Sequence, residues 1–282
     1  TLYIEGSATS YAGFTLDKRL VIIGTGYFIS GSDSNPGLQL GNSSSFGSGY
    51  IIFDSTGSGS TLIGLDNFTF GVGQTGSAAD NITITRCRMN SISAYYGNVA
   101  NTIMAGFKIN KCYISDISLN TYTLTNWEVT NNILTGGITM NSAQNINNLI
   151  RNNVIRGQMN LYSAYFSNNI ITGTTFTTVN VTVKNNISNG SNLPVGNGNL
   201  NNQADAVVFQ GLTGNSTDGQ WRLKAGSPAI VAGETISSIT PDCGAFGTAD
   251  PYKLSGIPAI PTIYSLTVPA SVPSNATTMP IT

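Results

Sequence analysis

One local pattern recurs six times along the middle of this 282-residue chain, and it constrains the fold more than any other feature. It centres on the pairs Arg86-Cys87, Lys111-Cys112, Asn131-Asn132, Asn152-Asn153, Asn168-Asn169 and Asn185-Asn186. The second members, or pivots, follow one another at intervals of 25, 20, 21, 16 and 17. An apolar residue stands three positions before each pivot: Ile84, Ile109, Val129, Ile150, Phe166 and Val183. Another stands two positions after it, at Met89, Ile114, Leu134, Ile155 and Ile171, with Ser188 as the exception. A repeat of this length is a single supersecondary unit that buries its apolar side only by stacking on its neighbours.

The local period within each repeat is that of a strand. Ile82/Ile84, Phe107/Ile109 and Val181/Val183 are apolar residues two apart, with Thr83, Lys108 and Thr182 between them. One face is therefore buried and one is wet. A second short strand follows at Ile117/Leu119, Ile138/Met140 and Met159/Leu161, at a constant interval. The spacing predicts an all-β solenoid of parallel coils about 4.8 Å apart. Residues at equal offset from the pivot then form columns. Phe68, Cys87, Cys112, Asn132, Asn153, Asn169 and Asn186 are expected in one column, and a column of identical amides can bond to itself as a ladder. Asparagine also suits the turn there, because its side chain bonds nearby backbone and tolerates unusual dihedrals. Earlier segments such as Phe14-Thr15-Leu16 and Tyr50-Ile51-Ile52-Phe53 read as irregular first coils.

Composition narrows the chemistry. Charged residues make up 9% of the chain, and the net charge is −1 with no basic stretch, so nucleic acid is not an expected partner. There is no histidine, which excludes His-based catalysis and His-ligated zinc. Three cysteines make no even disulfide framework; Cys87 and Cys112 are expected as buried, stacked thiols, and Cys243 as a lone one. No apolar run approaches the length that spans a bilayer, about 20 residues, so no membrane insertion is expected. Half of the ten prolines fall after Ile257: Pro258, Pro261, Pro269, Pro273 and Pro280. The organisation expected is a β-helix over 1–256, then a Pro/Thr/Ser-rich linker or the start of a following module over 257–282, with further modules of the same polypeptide beyond. The stretch from Trp221 to Phe246 is the expected terminal cap.

The Asn-pivot coils resemble the right-handed parallel β-helix proteins of the pectin-lyase-like superfamily, over residues 62–190. The ends resemble a narrower group, large secreted bacterial surface proteins exported by type IX secretion. There the resemblance rests on Tyr3-Ile4-Glu5-Gly6-Ser7 with Leu20 to Phe28, on Leu223 to Ile230, and on Asp242-Cys243-Gly244-Ala245-Phe246-Gly247. The resemblance implies a right-handed β-helix with irregular N-terminal coils and a C-terminal capping segment. It also implies a secreted or cell-surface location on the exterior of a bacterial outer membrane.

Most characterised relatives of that fold cleave acidic polysaccharides, and that chemistry needs particular groups in the columns. A lyase requires a cationic or metal centre to neutralise the uronate, with a base beside it. A hydrolase requires two carboxylates within roughly 5–10 Å. The column four before the pivot reads Thr83, Lys108, Glu128, Leu149, Tyr165, Thr182. The column two before it reads Thr85, Asn110, Thr130, Arg151, Ser167, Lys184. Neither holds two acids, so no catalytic residue is assigned. No cofactor is expected either; calcium would need several oxygen ligands converging on one point, and the columns show no acidic cluster.

The cations are grouped. Arg86, Arg88, Lys108 and Lys111 lie close in the frame, and Tyr95-Tyr96 occupies the longest repeat interval, where a loop should protrude. These six residues are the candidate glycan-binding surface, with Glu128 expected beside Lys108. Tyr162 and Tyr165 lie near a coil corner, whereas Trp127 shares the offset of inward Ile82 and Phe107. A threonine array for ice or crystals is disfavoured, because Lys108, Glu128, Arg151 and Lys184 interrupt the columns. The function expected is an extracellular, non-catalytic glycan-binding or adhesive rod within a larger surface protein. The alternative is a polysaccharide lyase or glycoside hydrolase acting on acidic polysaccharide. The partner expected in either case is a polysaccharide or cell-surface glycan.

Overall fold

A computed structural model describes residues 1–30, 35, 41–72, 79–94, 102–120, 122–173, 175–258, 271 and 278. The chain is all-β, with about eight turns of a parallel β-solenoid. One sheet gathers the strands that precede the pivots, from Leu2–Tyr3 through Thr83–Thr85, Lys108–Asn110 and Glu128–Thr130 to Thr182–Lys184. A second gathers those that follow, from Phe14–Leu16 through Arg88–Ala94 and Tyr113–Ser118 to Ile187–Ser188. Every pairing between named strands is parallel and joins neighbouring coils.

The register bears out the column reading. Ile22, Leu62, Ile84, Ile109, Val129, Ile150, Phe166 and Val183 stack in turn. All are buried, because successive side chains of a strand alternate between core and solvent. On the wet face, Thr83, Lys108, Glu128, Leu149, Tyr165 and Thr182 form one column. Trp127 lies in the core, stacked on Phe107 at 4.4 Å, with its indole N–H donating to the Met104 carbonyl at 3.0 Å.

The pivots form an internal ladder. The backbone N–H groups of Cys112, Asn132, Asn153 and Asn169 each donate to the side-chain oxygen of the next asparagine, at 2.9 Å. The ladder continues to Asn199, whose side chain receives the Asn186 N–H at 3.0 Å. Each amide nitrogen reaches a neighbouring amide or backbone carbonyl, so fully buried polar groups are left satisfied. Cys87 and Cys112 hold the same column as free, buried thiols. Phe68 does not belong to it. It pairs with Met89, the column two after the pivot, beside a register shift at Phe68/Thr69. The pivot position of that coil is Leu65, whose carbonyl accepts the Arg88 N–H as Cys87 accepts that of Tyr113.

Two features shape the cross-section. Gly136, Gly137, Gly157 and Gly173 stack at the corner inside the second sheet, where backbones nearly touch; a Cβ on Gly157 would lie 2.3 Å from the Gly136 carbonyl carbon. A short third side consists of Ile103–Ala105 paired with Thr123–Thr125, which bridges to Ile146. It stops there. The interval from Asn153 to Asn169 is 16, against 21 for the interval before it. This shorter coil passes from Met159–Tyr162 through Ser163 directly into Ala164–Ser167. The rod therefore narrows by one step.

The far end is closed by a shortened rung, in which Leu200 bridges Ile187 and Leu193 enters the core. Trp221 to Phe246, expected as the terminal cap, packs instead along the flank. It covers an outward apolar column immediately after the pivots: Ile133, Val154, Ile170 and Ile187. Val208, Phe209, Trp221, Ala229, Cys243, Ala245 and Tyr252 complete this second core, with Tyr27 and Phe28 from the first coils. An apolar column on an outer face needs such a cover, since burying each side chain stabilises by about 1.5–3 kcal/mol.

Candidate functional site

The corner between the two sheets is where the charged residues of the coils gather, and its backbone explains why. The residue before each pivot is left-handed: Arg86, Lys111, Asn131, Asn152, Asn168 and Asn185 have φ between 52° and 57°. Asparagine tolerates this region better than other residues with a side chain beyond Cβ, and Arg86 and Lys111 occupy it at a cost of about 1–2 kcal/mol each. These side chains point away from the core, into the returning C-terminal segment 232–257.

That segment acts as a strap that retraces the axis one rung at a time. Asn185 donates to the Ala232 carbonyl at 3.1 Å, and Asn168 accepts the Glu234 N–H at 2.7 Å. Asn152 donates to the Asp242 carbonyl at 3.0 Å, and Asn131 to the Ala245 carbonyl at 3.1 Å and to Thr248 at 3.0 Å. Lys111 forms an ion pair with Asp250, and the Arg86 guanidinium donates to the Ile257 carbonyl at 2.9 Å. The Lys111 ammonium holds the Asp250 carboxyl below its ordinary range.

Further contacts fasten the strap. Glu234 takes Arg151 at 3.0 Å, Lys184 at 2.8 Å and the Tyr165 hydroxyl at 2.8 Å. Burial pushes the Glu234 carboxyl up, but the Lys184, Tyr165 and Arg151 contacts outweigh it and leave it lowered. Where the strap meets the first coils, the fully buried Asp218 accepts from Ser216 at 2.7 Å, the Ser255 N–H at 2.6 Å, Tyr252 at 3.2 Å and Asn35 at 3.3 Å. Tyr27 and Tyr252 share a 2.5 Å hydrogen bond beside it. Burial, with Asp218 adding to it, raises both phenols well above their ordinary range. This knot joins residues nearly the whole chain apart, and no solvent reaches Asp218.

The candidate binding residues separate accordingly. Arg86 and Lys111 hold the strap. Arg88 pairs with buried Asp66 on the adjacent rung at 2.5 Å and lies 5.0 Å over the Phe28 ring. Lys108 alone of the four stays on the wet sheet face, 3.6 Å from Glu128, and both side chains are about half exposed. Tyr95 and Tyr96 lie outside the described residues. The expected open cationic surface is thus largely engaged within the fold, because the offset that carries Arg86 and Lys111 faces a segment far away in sequence. Among the described residues, no three His, Cys, Asp or Glu side chains come together, and no helix is long and apolar enough to cross a membrane.

Two columns escaped the sequence reading. The outward apolar one is visible as doublets after the pivots, Ile133-Leu134, Val154-Ile155 and Ile170-Ile171, a sign of burial on both faces. The other lies six before the pivot: Gly59, Asn81, Gly106, Asn126, Asn147, Ser163 and Asn180, all left-handed. The recurrence of small or amide residues at one offset was its signal. It forms the opposite corner of the first sheet. No protein-family model matches the chain, and no curated protein matches it significantly.

Proposed function

We propose that the chain is an extracellular, non-catalytic rod that binds glycan or adheres to a glycan-bearing surface, as part of a larger secreted or surface protein. The observation that carries this reading is the wet face of the first sheet. Its two outward columns form a strip that carries Thr, Asn, Tyr, Leu149 and paired charged side chains, one set per coil, with Ser167 alone buried against Arg151. The strip repeats at strand spacing, about 4.8 Å, and is held rigid by the ladder behind it and the strap beside it. A rigid surface with a short polar repeat suits a repeating polar polymer, because little order must be imposed when it binds. Most coil cations are already engaged, which favours holding a polymer over neutralising a uronate for lysis. Lys108 and the Tyr95-Tyr96 segment are the members of the cationic group that this reading retains. Right-handed pectin-lyase-like kinship and type IX export belong to the same proposal, supported by the end motifs and the coil frame.

The test is to pass the protein over a panel of neutral and uronic-acid polysaccharides, measuring both retention and release of new chain ends. Retention without release is expected. Unsaturated or reducing ends would replace this reading by the lyase or hydrolase one, and no retention on any member would remove it.

A further inference from the structure

The step where the rod narrows leaves a hollow of about 450 Å³ in the flank of the first sheet. Its size falls within the range of small-ligand sites. Ile146, Asn147, Leu149, Tyr165, Asn180 and Thr182 line it. The stretch missing from the shorter coil is the one that would have continued the third side beneath Ile146. Ile146 is 53% exposed as a result.

The backbone records the same break. Along the left-handed column, Asn81, Gly106, Asn126 and Ser163 each donate their N–H to a carbonyl of the next coil, at 2.8–3.0 Å. Among the described residues the Asn147 N–H meets no such carbonyl. It is a donor left at the mouth of the hollow. The side chains of Asn147, Ser163, Asn180 and Thr182 make no internal hydrogen bond among the described residues either, in contrast to the pivot amides. Tyr165 forms one wall, and its position is fixed: the hydroxyl donates to Glu234 at 2.8 Å, and Arg151 lies 5.5 Å over the ring. No charged side chain among the described residues lines the cavity.

We infer that this step is a binding subsite for a neutral sugar unit of a polysaccharide, a reading that rests on the glycan-binding function proposed above. A sugar ring has one apolar face and a belt of hydroxyls. Tyr165, Leu149 and Ile146 provide the apolar contact, and the fixed phenol ring loses little freedom on binding. The amides, the hydroxyls and the Asn147 N–H provide donors and acceptors for the belt. A uronate or sulfate finds no countercharge here, since Lys184 and Arg151 already meet Glu234. The hollow opens onto the strip of the first sheet, so the next units of the same chain would lie along Leu149, Glu128 and Lys108.

The experiment measures retention of the whole protein on cello-, xylo-, manno- and galacto-oligosaccharide arrays, with polygalacturonate as the acidic probe. At least one neutral series should be retained, with little dependence on salt. Tyr165→Leu should weaken that retention by roughly tenfold, the usual loss for an aromatic anchor. Thr182→Arg fills the hollow from an exposed strand position without touching the core, and it should weaken retention at least as much at an unchanged melting temperature. Lys18→Ala, at an exposed position in the first coils away from the strip, should leave it unchanged. Retention of a neutral series that survives Thr182→Arg overturns the subsite but leaves the glycan-binding reading. Retention on polygalacturonate alone does the same. No retention on any probe removes both.

Discussion

Two columns, at adjacent positions in the coils from Arg86-Cys87 to Asn185-Asn186, behave in opposite ways. The pivot column, from Cys112 to Asn186, turns inward and binds only itself and the backbone of its own coils. The column just before it, from Arg86 to Asn185, turns outward and binds a segment that returns from the far end. Asparagine dominates both. In the first it is an internal mortar that needs nothing beyond the repeat. In the second it is half of a seam whose other half, residues 232–257, has no repeat at all. The same residue type at adjacent positions therefore supports coil stacking in one case and strap attachment in the other.

The sharpest way to break this comparison is to remove one amide from each column. Asn153→Ala should destabilise by about 3 kcal/mol or more, because it strands the buried Asn132 N–H and amide along with the Val129 carbonyl. Asn152→Gly deletes the bond to the Asp242 carbonyl and a long one, 3.4 Å, from the Asn168 amide while relieving the left-handed backbone, and it should cost about 1 kcal/mol. Urea denaturation of both variants makes the test; equal losses would mean that the two columns are not different in kind.

The thiols sharpen the comparison in a second way. Burial raises the Cys87 thiol well above its ordinary value and pushes Cys243 up to about 12, so neither should react with iodoacetamide in the native protein at pH 8. Cys243 sits in the strap, and Cys87 in the ladder. If the strap opens as a separate unit, Cys243 should be alkylated at lower urea than Cys87. Simultaneous labelling would show that strap and solenoid unfold together.

The pH effect is smaller. Glu234 and Asp250 have lowered carboxyl pKa values in the fold. A depressed carboxyl adds stability that is present above its unfolded value, near 4, and is lost as pH falls through the folded value. Amide exchange over the strap should therefore rise on acidification below about pH 4 before that of the coils does. Glu234→Gln should blunt the rise. The smallest effect expected is that of Lys108→Ala, which breaks an exposed ion pair with Glu128 and should change stability by under about 1 kcal/mol in urea.

The inward assignment could be read directly because it is periodic. Ile109, Val129 and Ile150 share an offset, and equal offsets in a stack meet at one face, so burial of one implies burial of all. Phe68 was misplaced because Leu65 and Phe70 stand three before and two after it and imitate the pivot frame, whereas the pivot of that coil is Leu65 and Phe68 pairs with Met89. The roles of Arg86 and Lys111 were legible only in part. Their offset marked them as outward, but nothing periodic said what lay outside.

What the sequence by itself determined, then, is the coil: its length, its inward columns, its asparagine ladder and its all-β parallel stacking. These follow from alternation within a strand and from repetition between strands, both of which are local. The tertiary structure alone decided what covers the flank and where the surface is left open. Asp250 reaches Lys111 across 139 residues, and Asn35 reaches Asp218 across 183. The hollow at Tyr165 exists because one coil is shorter than the one before it, a difference visible in the spacing. Its consequence, an Asn147 N–H that meets no backbone carbonyl among the described residues beside an exposed Ile146, appears only when the coils are set one upon another, because a missing partner is a property of the stack and not of either strand.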